Sequence, residues 1–282
     1  DHDHIEIVLL DAGSTDRTVE IATEFNAVIV EYTRANWSWG GALNDAIEAA
    51  TGDYVFICSA HCLLKYKNAL SSALNLLQNE ECHAVYGHQF AIPNVNIFEE
   101  RNYQSLYDFD HKKYAKHEIL NNLCPIITNS ACLIRRADWI SNQFNELLTS
   151  LEDYDWIRQT IGNRYITCSK YLGVYHSHAI DTATIYRREY AREIEARKMR
   201  DDKKRYSQLR YYLIGFIWLC RLLRSFPPSI QNFKVARLVA VANMNAYYDF
   251  QHGMNHEYWD IEVPSIKFSC DAEPKISDLP FL

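Results

Sequence analysis

The sequence predicts an α/β fold, because short runs rich in β-branched residues alternate with segments of helical pattern through its first half. Each run ends in polar turn residues, and each intervening segment is long enough for a helix. Such runs are typical of strands buried on both faces, as in a parallel sheet. The first three strands are Ile5–Leu10, Ala27–Glu31 and Asp53–Cys58. Strand and helix alternation at this spacing predicts right-handed crossovers, with ligands bound at the carboxyl ends of the strands.

The helices between and after these strands follow from capping residues and glycines. Thr15 or Asp16 can cap the first helix, and Gly52 closes the second. The three predicted helices are Thr18–Phe25, Ala42–Ala50 and a helix near Asn68–Gln78. A fourth strand is predicted at Ala84–Tyr86.

The middle of the chain is less regular. Ile126–Arg135 fits a strand or a buried loop, and the acidic and aromatic cluster Ser150–Trp156 opens a helix that runs to about Gly162. Acidic residues suit a helix N-terminus because the helix dipole is positive there. Tyr165–Ser169 and Tyr171–Tyr175 are predicted as two short strands.

Composition excludes several classes of protein. The 282 residues are 48% apolar and 23% charged, which is typical of a globular protein. The net charge of −7 argues against a nucleic-acid partner. The chain has eight cysteines, several of them inside apolar runs, and we expect reduced core residues of a cytoplasmic protein.

The last third of the chain is basic and helical in pattern. Between Arg187 and Arg224 there are 12 Lys or Arg and 5 Asp or Glu residues, and the apolar run Tyr211–Leu223 lies inside this segment. A basic, aromatic, apolar helix can lie in a membrane interface, and it can equally pack on a catalytic domain with its arginines solvated. Phe233–Tyr248 is predicted as a further helix, and an extended arm follows Ile261.

Four polar clusters follow predicted strands or open a helix. A polar turn, an acidic pair at a helix start or a His-x-His pair is weak as a signal when taken alone. The clusters are Asp11–Asp16, Ser59–His61, Glu152–Asp153 and His176–His178.

The order and spacing of these clusters resemble the inverting family-2 glycosyltransferases of the GT-A fold. The matching segments span Ile5 to His178, about two-thirds of the chain, and within the family they look most like bacterial rhamnosyltransferase-like enzymes. The segments are IEIVLLDAGSTDRT from Ile5, GALNDAIEAATGDYVFICSAHC from Gly41, NSACLIRR from Asn129, Phe144–Glu146 with LEDYDW from Leu151, and VYHSH from Val174. The resemblance implies a Rossmann-like glycosyltransferase domain over residues 1–185 and a helical, basic and apolar extension over residues 186–282.

The resemblance also implies roles for individual residues. Asp153 matches the base that takes the proton of the acceptor hydroxyl, and Glu152 would shape the site or bind acceptor. Trp156 and Tyr154 could stack on acceptor sugars, although Trp156 is as easily a core residue. The implied donor-binding residues of the first segments are Asp11, Gly13, Ser14 and Asn44, and for Asn44 a packing role is the alternative.

The sequence departs from the family at the third strand, where Ser59, Ala60 and His61 replace the metal-binding Asp-x-Asp motif. His61 could hold a divalent cation, it could touch the diphosphate directly, or donor binding could proceed without metal. Imidazole favours softer ions than Mg²⁺, so Mn²⁺ is one candidate and Mg²⁺ the family's usual alternative. His176 or His178 could complete a metal shell, and Arg187 and Arg188 could close over the diphosphate.

A second departure concerns the start of the chain. The family opens with an earlier strand, and a sheet that lacked it would expose apolar edges, so we expect a fragmentary chain rather than an altered fold. Leu43 also stands where the family has an arginine before the matched asparagine.

These observations predict an inverting glycosyltransferase that moves a sugar from a nucleotide-diphosphate donor to a hydroxyl of a glycan or lipid-linked acceptor. The expected setting is synthesis of a bacterial surface polysaccharide such as a capsule, in the cytoplasm or at the inner face of the plasma membrane. The alternative is a non-catalytic glycan- or nucleotide-binding module that kept the fold and lost the metal motif. The prediction requires that Asp11, His61, Asp153 and His176 meet around one cleft.

Overall fold

A computed structural model of the chain describes residues 4–33, 37–92, 100, 103–104, 106–121, 126–177, 182–199, 237, 239–246 and 249. The chain divides into two units. The first unit comprises residues 1–91, 102–148 and 152–177, and the second comprises residues 92–101, 149–151 and 178–282.

The first unit opens with a parallel pair of strands joined by a helix. β1 (Val8–Asp11) pairs with β2 (Val28–Glu31), so that Asp11 lies opposite Glu31, and α1 (Thr18–Glu24) connects them. The chain leaves α1 through Asn26, which has a φ of 56°, a conformation that asparagine tolerates better than most residues. This strand–helix–strand unit confirms the predicted alternation.

A second, six-stranded sheet is mixed rather than parallel. Its strand order is β3-β7-β5-β8-β4, with β6 also paired to β8. β7 is antiparallel to both β3 and β5, whereas β5 and β8 are parallel. The strands are β3 (Tyr54–Cys58), β4 (Leu63–Leu64), β5 (Cys82–Phe90), β6 (His111–Ala115), β7 (Ala131–Arg135) and β8 (Tyr165–Tyr175). The expectation of one parallel sheet is therefore corrected, because β7 enters between β3 and β5 in the opposite direction.

Several element bounds differ from the predicted ones. β5 is nine residues long and β8 is a single strand of eleven residues, whereas β4 and β6 were not predicted. The remaining helices of this unit are α2 (Trp39–Glu48), α3 (Ala69–Leu77), α4 (Lys116–Asn121), α5 (Arg136–Ser141) and α6 (Glu152–Thr160). α2 begins three residues before the predicted start because Ser38 Oγ accepts the Gly41 N–H and caps the helix.

The core of the first unit lies between α3 and the six-stranded sheet. Ala69, Ala73 and Leu77 share one helix face and pack on the strands. Their partners are Cys82 and Val85 of β5, Leu133 of β7 and Leu172 of β8. The burial of Cys82, Cys132 and Cys168 agrees with the expected core cysteines, but Cys58 is exposed at the end of β3.

The second unit is helical in its described part. α7 (Thr182–Met199) carries Tyr186 stacked on Tyr190, and Asn245 of the helical residues 239–246 donates to the Tyr186 hydroxyl at 2.7 Å. The predicted helix over Phe233–Tyr248 is thus described at residues 239–246. The apolar run Tyr211–Leu223 and the arm beyond Ile261 lie outside the described residues. Within the part of the chain that the structure describes, no helix is long and apolar enough to cross a membrane.

Candidate active site

The Asp11 carboxylate organises the turn that follows β1. It accepts the Gly13 N–H at 3.0 Å and the Ser14 N–H at 3.1 Å. Gly13 has a φ of +91°, where an L side chain is strained, and the space beside its Cα is open. Asp16 accepts the N–H of Thr18, the first residue of α1, at 2.9 Å, whereas the N-cap position is Arg17 and carries no side-chain cap, so the predicted capping role of Asp16 is corrected. The turn thus presents backbone and a small hydroxyl at the carboxyl end of β1.

The turn after β3 carries Ser59, Ala60 and His61. It is closed by the Cys62 N–H, which donates to Ser59 O at 3.0 Å, and it is fastened to the start of β7 by the Ser59 N–H, which donates to Ser130 O at 3.3 Å. His61 is exposed on this turn. The residues that replace Asp-x-Asp therefore lie directly after β3, the strand at one edge of the six-stranded sheet.

His61 meets His176 across the sheet edge. The two Nε2 atoms are 2.8 Å apart and the rings are 4.6 Å apart between centroids. His176 is 6% exposed and comes directly after β8, and its Nδ1 lies 2.7 Å from Oε1 of the buried Gln89. The hydroxyl of Tyr103 is a second neighbour of that Nδ1, at 3.2 Å.

These contacts set the proton positions of the histidine pair. The carbonyl oxygen of Gln89 can only accept, so His176 Nδ1 donates to it. In a neutral His176 ring, Nε2 then carries the lone pair, which can accept from Nε2–H of His61 when no cation is bound. Gln89 thereby orients His176, and His176 in turn holds the His61 ring.

Glu152 and Asp153 are the first two residues of α6. Glu152 is 9% exposed, and Asn129 Nδ2 donates to its Oε1 at 3.3 Å. Asp153 is half-buried, and its Oδ1 accepts the Tyr154 N–H at 2.7 Å. Asn129 immediately precedes Ser130, whose carbonyl accepts the Ser59 N–H. Two adjacent residues therefore bind the acidic pair and the Ser59–His61 turn.

The two carboxyl groups differ in their electrostatics. Burial, followed by the negative charge of Asp153, raises the pKa of Glu152 to about 8. The pair therefore holds one proton at pH 7, on Glu152, while Asp153 supplies the negative charge that keeps it there. Environments that separate two carboxyl groups in this way assign them different chemical roles.

The comparisons with known proteins bear on this arrangement. The family model described as Glycosyl transferase family 2 matches residues 1–139. Just under half of the chain thus matches a family-2 glycosyltransferase domain. Its α/β fold with a central mixed sheet agrees with the GT-A fold that the sequence resemblance implies.

Curated relatives match this chain over part of their length. The O-antigen chain rhamnosyltransferase WbaN of Salmonella anatum is 28% identical over 92 residues, 32% of this chain and 29% of the relative. The uncharacterized glycosyltransferase RT0329 of Rickettsia typhi is 24% identical over 164 residues, 55% of this chain and 49% of the relative. The chain thus spans less than half the length of either relative.

Solved structures show a distant likeness. S. aureus TarS residues 1–349 align with a TM-score of 0.48 at 15% identity, over 88% of this chain and 81% of that one. The mannosyltransferase PcManGT of Pyrobaculum calidifontis, solved with GDP-Man and Mn²⁺, aligns with a TM-score of 0.46 at 14% identity, over 90% and 68%.

The Nε2 atoms of His61 and His176 are spaced as two ligands of one divalent cation would be. Metal–imidazole bonds are about 2.1 Å long, so a cis pair of ligands stands roughly 3.0 Å apart, close to the spacing of the His61 and His176 Nε2 atoms. The hydrogen bond from His176 Nδ1–H to Gln89 is the support that metal-bound histidines ordinarily have. Among the described residues, no group of three or more His, Cys, Asp or Glu side chains is arranged to hold a metal. The residues fit a cation whose other ligands come from elsewhere.

Asn44 is a packing residue of the domain, which corrects its assignment to the donor. Its Oδ1 accepts from Trp139 Nε1 and from Phe144 N, both at 3.0 Å. Its Nδ2 donates to Phe144 O at 3.0 Å and to Glu146 Oε1 at 2.9 Å. Both amide hydrogens and both lone pairs are used within the protein, so nothing remains for a ligand.

The two residues assigned to the acceptor are also in the core, which corrects that expectation. Trp156 is 1% exposed, its Nε1 donates to Asn142 O, and its ring stacks on His83 at 5.1 Å. Tyr154 is 4% exposed, and its hydroxyl donates to Ile119 O at 2.6 Å. Neither ring offers a face to a sugar.

The remaining predicted residues lie in the second unit or outside the described residues. Arg187 and Arg188 are half-buried on α7, and Arg188 Nε lies 3.8 Å from Glu189 Oε1. His178 is outside the described residues.

Two site residues escaped the sequence analysis. Gln89 and Tyr103 contact His176. Gln89 lies beyond the predicted end of the fourth strand, and Tyr103, which is helical in the structure, lies in a stretch of sequence without a readable pattern. The signal for Gln89 is its polar side chain at the carboxyl end of a strand parallel to the one that precedes His176.

Proposed function

We propose that this glycosyltransferase moves a sugar from a nucleotide-diphosphate donor to a hydroxyl of a glycan or lipid-linked acceptor, with inversion at the anomeric carbon. The observation that carries the proposal is the position of the Glu152–Asp153 pair: Asn129 donates to Glu152, and the next residue, Ser130, accepts the Ser59 N–H of the turn that bears His61. One carboxylate kept negative next to one kept neutral is suited to a single base.

In the proposed reaction, the Asp153 carboxylate takes the proton of the acceptor hydroxyl. The acceptor oxygen bonds to the anomeric carbon from the face opposite the diphosphate. The bond between that carbon and the diphosphate oxygen breaks, and the nucleoside diphosphate leaves with the electron pair. Glu152, neutral at pH 7, preserves the charge of Asp153 and shapes the acceptor side of the site.

The donor is proposed to lie along the carboxyl ends of β1 and β3. Asp11 holds the turn whose Gly13 and Ser14 approach the nucleoside, because an exposed glycine lets the ligand reach the backbone. Ser59 and Ala60 follow β3 and would face the diphosphate together with His61.

Positive charge or polarity near the leaving diphosphate lowers the barrier because negative charge grows there. We assign this task to His61 and His176, which would hold a divalent cation such as Mn²⁺ through their Nε2 atoms. A bound cation would offset the charge of the diphosphate oxygens.

The biological setting is proposed from the sequence and from one relative. The likeness to a protein named as an O-antigen chain rhamnosyltransferase supports a role in bacterial surface polysaccharide synthesis. Between Arg187 and Arg224 there are 12 basic and 5 acidic residues. This excess of basic residues supports contact with an anionic membrane surface from the cytoplasmic side.

Calorimetry with a panel of nucleotide sugars, each with and without Mn²⁺, tests this function. We expect heat of binding for at least one nucleotide sugar, strengthened by Mn²⁺ in the wild type and not in the His61→Ala variant. Heat for glycans alone, with none for any nucleotide sugar, would favour the non-catalytic binding module. Equal affinity with and without Mn²⁺ would refute the cation assignment and leave the transfer reaction standing.

A further inference from the structure

Three aromatic residues that follow β2, namely Tyr32, Trp37 and Trp39, form an aromatic row that ends in an exposed tryptophan. The rings of Tyr32 and Trp37 are 5.5 Å apart between centroids, and those of Trp37 and Trp39 are 5.1 Å apart, both edge to face. Trp39 is 41% exposed, whereas Trp139 and Trp156 are each 1% exposed. An exposed indole presents a flat apolar face on which a flat ligand can stack.

The row is joined directly to the polar turn after β1. The Tyr32 N–H donates to Asp11 O at 2.8 Å, so Tyr32 continues the parallel register of β1 and β2 by one residue. The Asp11 carboxylate holds the Gly13 and Ser14 amides in their turn. The Asp11 turn and the first residue of the aromatic row therefore follow the carboxyl ends of two paired strands, β1 and β2.

The row is also held firmly. Ser38 lies between the two tryptophans and caps α2 by accepting the Gly41 N–H at 3.0 Å. A Cβ on Gly41 would stand 2.6 Å from the Tyr32 hydroxyl, so the glycine permits Tyr32 to approach the helix. Trp39 is the first residue of α2, and its ring is thus carried on a capped helix rather than on a loose loop.

We propose that Trp39 stacks on the base of the nucleoside diphosphate donor, a role that rests on the proposed transferase function. A nucleobase has two flat faces and a polar edge, and this sheet edge pairs an exposed indole with a turn that carries hydrogen-bonding groups. Stacking on an aromatic side chain accepts every base, because each has a π face. Trp37 and Tyr32 are positioning residues that hold Trp39 beside the Asp11 turn.

The test compares dissociation constants of UDP, dTDP, GDP and inorganic pyrophosphate for wild type, Trp39→Ala and Trp39→Phe. Loss of one stacking contact should raise the constants of the nucleoside diphosphates that bind by about 5- to 100-fold in Trp39→Ala. Trp39→Phe should keep most of the affinity, and pyrophosphate should bind all three proteins alike. Phe25→Ala, which removes a 65% exposed ring after α1, is the matched control and should bind as the wild type does.

The outcomes separate this inference from the function on which it rests. Wild-type affinity of Trp39→Ala for nucleoside diphosphates would overturn the stacking role and leave the transferase proposal intact. An equal loss for pyrophosphate would also overturn it, because the loss would not depend on a base. Failure of the wild type to bind any nucleoside diphosphate would overturn both proposals.

Discussion

The buried carboxyl group of Glu152 leads to a measurable dependence of stability on pH. Glu152 is the first residue of α6, is 9% exposed and has a pKa raised to about 8, first by burial and then by the charge of Asp153. Replacing it with glutamine keeps the shape, the neutral state and the oxygen that accepts from Asn129 Nδ2. The substitution removes only the ability to lose a proton.

The magnitude follows from the two pKa values. An unfolded glutamate titrates near 4.5, so between pH 4.5 and about 8 the folded protein keeps a proton that the unfolded chain releases. The free energy of unfolding of the wild type then falls as pH rises through this window, by about 1.4 kcal/mol per unit. Integrated from pH 4.5 to pH 7, the cost is about 3 kcal/mol, and Glu152→Gln avoids it.

Urea unfolding at pH 5, 7 and 8.5 checks this prediction. The stability advantage of Glu152→Gln over the wild type should be small at pH 5, large at pH 7 and largest at pH 8.5. Glu48→Gln, on the exposed face of α2, is the control and should not diverge from the wild type. Parallel stability profiles for wild type and Glu152→Gln would refute the burial and charge argument, and with it the division of roles between Glu152 and Asp153.

Two further predictions concern buried polar side chains. Gln89→Leu removes the acceptor of His176 Nδ1–H. We expect the free energy of unfolding to fall by about 1–3 kcal/mol and a nucleotide sugar to bind more weakly. Unchanged stability and unchanged binding would contradict the role of this contact. Burial lowers the pKa of His88 from 6.5 to about 4. The contribution of the neutral His88 to the free energy of unfolding is therefore complete above pH 6.5, and about 2 kcal/mol of it is lost by pH 5. His88→Phe, which keeps an aromatic ring on Tyr107, should lose less on acidification in urea titrations, and an equal loss would contradict the assignment.

The local features of the site were predictable because they depend on neighbouring residues. The turn after β1 follows from Asp11 and Gly13, and the acidic start of α6 follows from the sequence there. Glu152 and Trp156 are four residues apart and share a helix face, so the burial of one implies the burial of the other. That spacing could have placed Trp156 in the core at the outset.

The long-range features were not predictable from one sequence. The antiparallel entry of β7 between β3 and β5 depends on pairings between strands that are distant in sequence. The contact of Gln89 with His176 depends on the parallel pairing of β5 with β8 and on where β5 ends. Of the four residues expected to converge, His61 and His176 are in contact. Asp153 follows Glu152, which is bound by Asn129, and the neighbouring Ser130 binds the His61 turn. Asp11 lies at the end of β1, in the separate β1–β2 sheet.

Initial rates of sugar transfer in the Asp153→Asn protein test the proposed base most directly. Asp155→Asn is the matched control, because Asp155 lies in the same helical turn and accepts from Gln159 Nε2. Loss of the base should slow transfer by about 100- to 10,000-fold while calorimetric donor affinity stays at the wild-type value, and Asp155→Asn should remain active. Transfer by Asp153→Asn at the wild-type rate would contradict the assignment of the catalytic carboxylate.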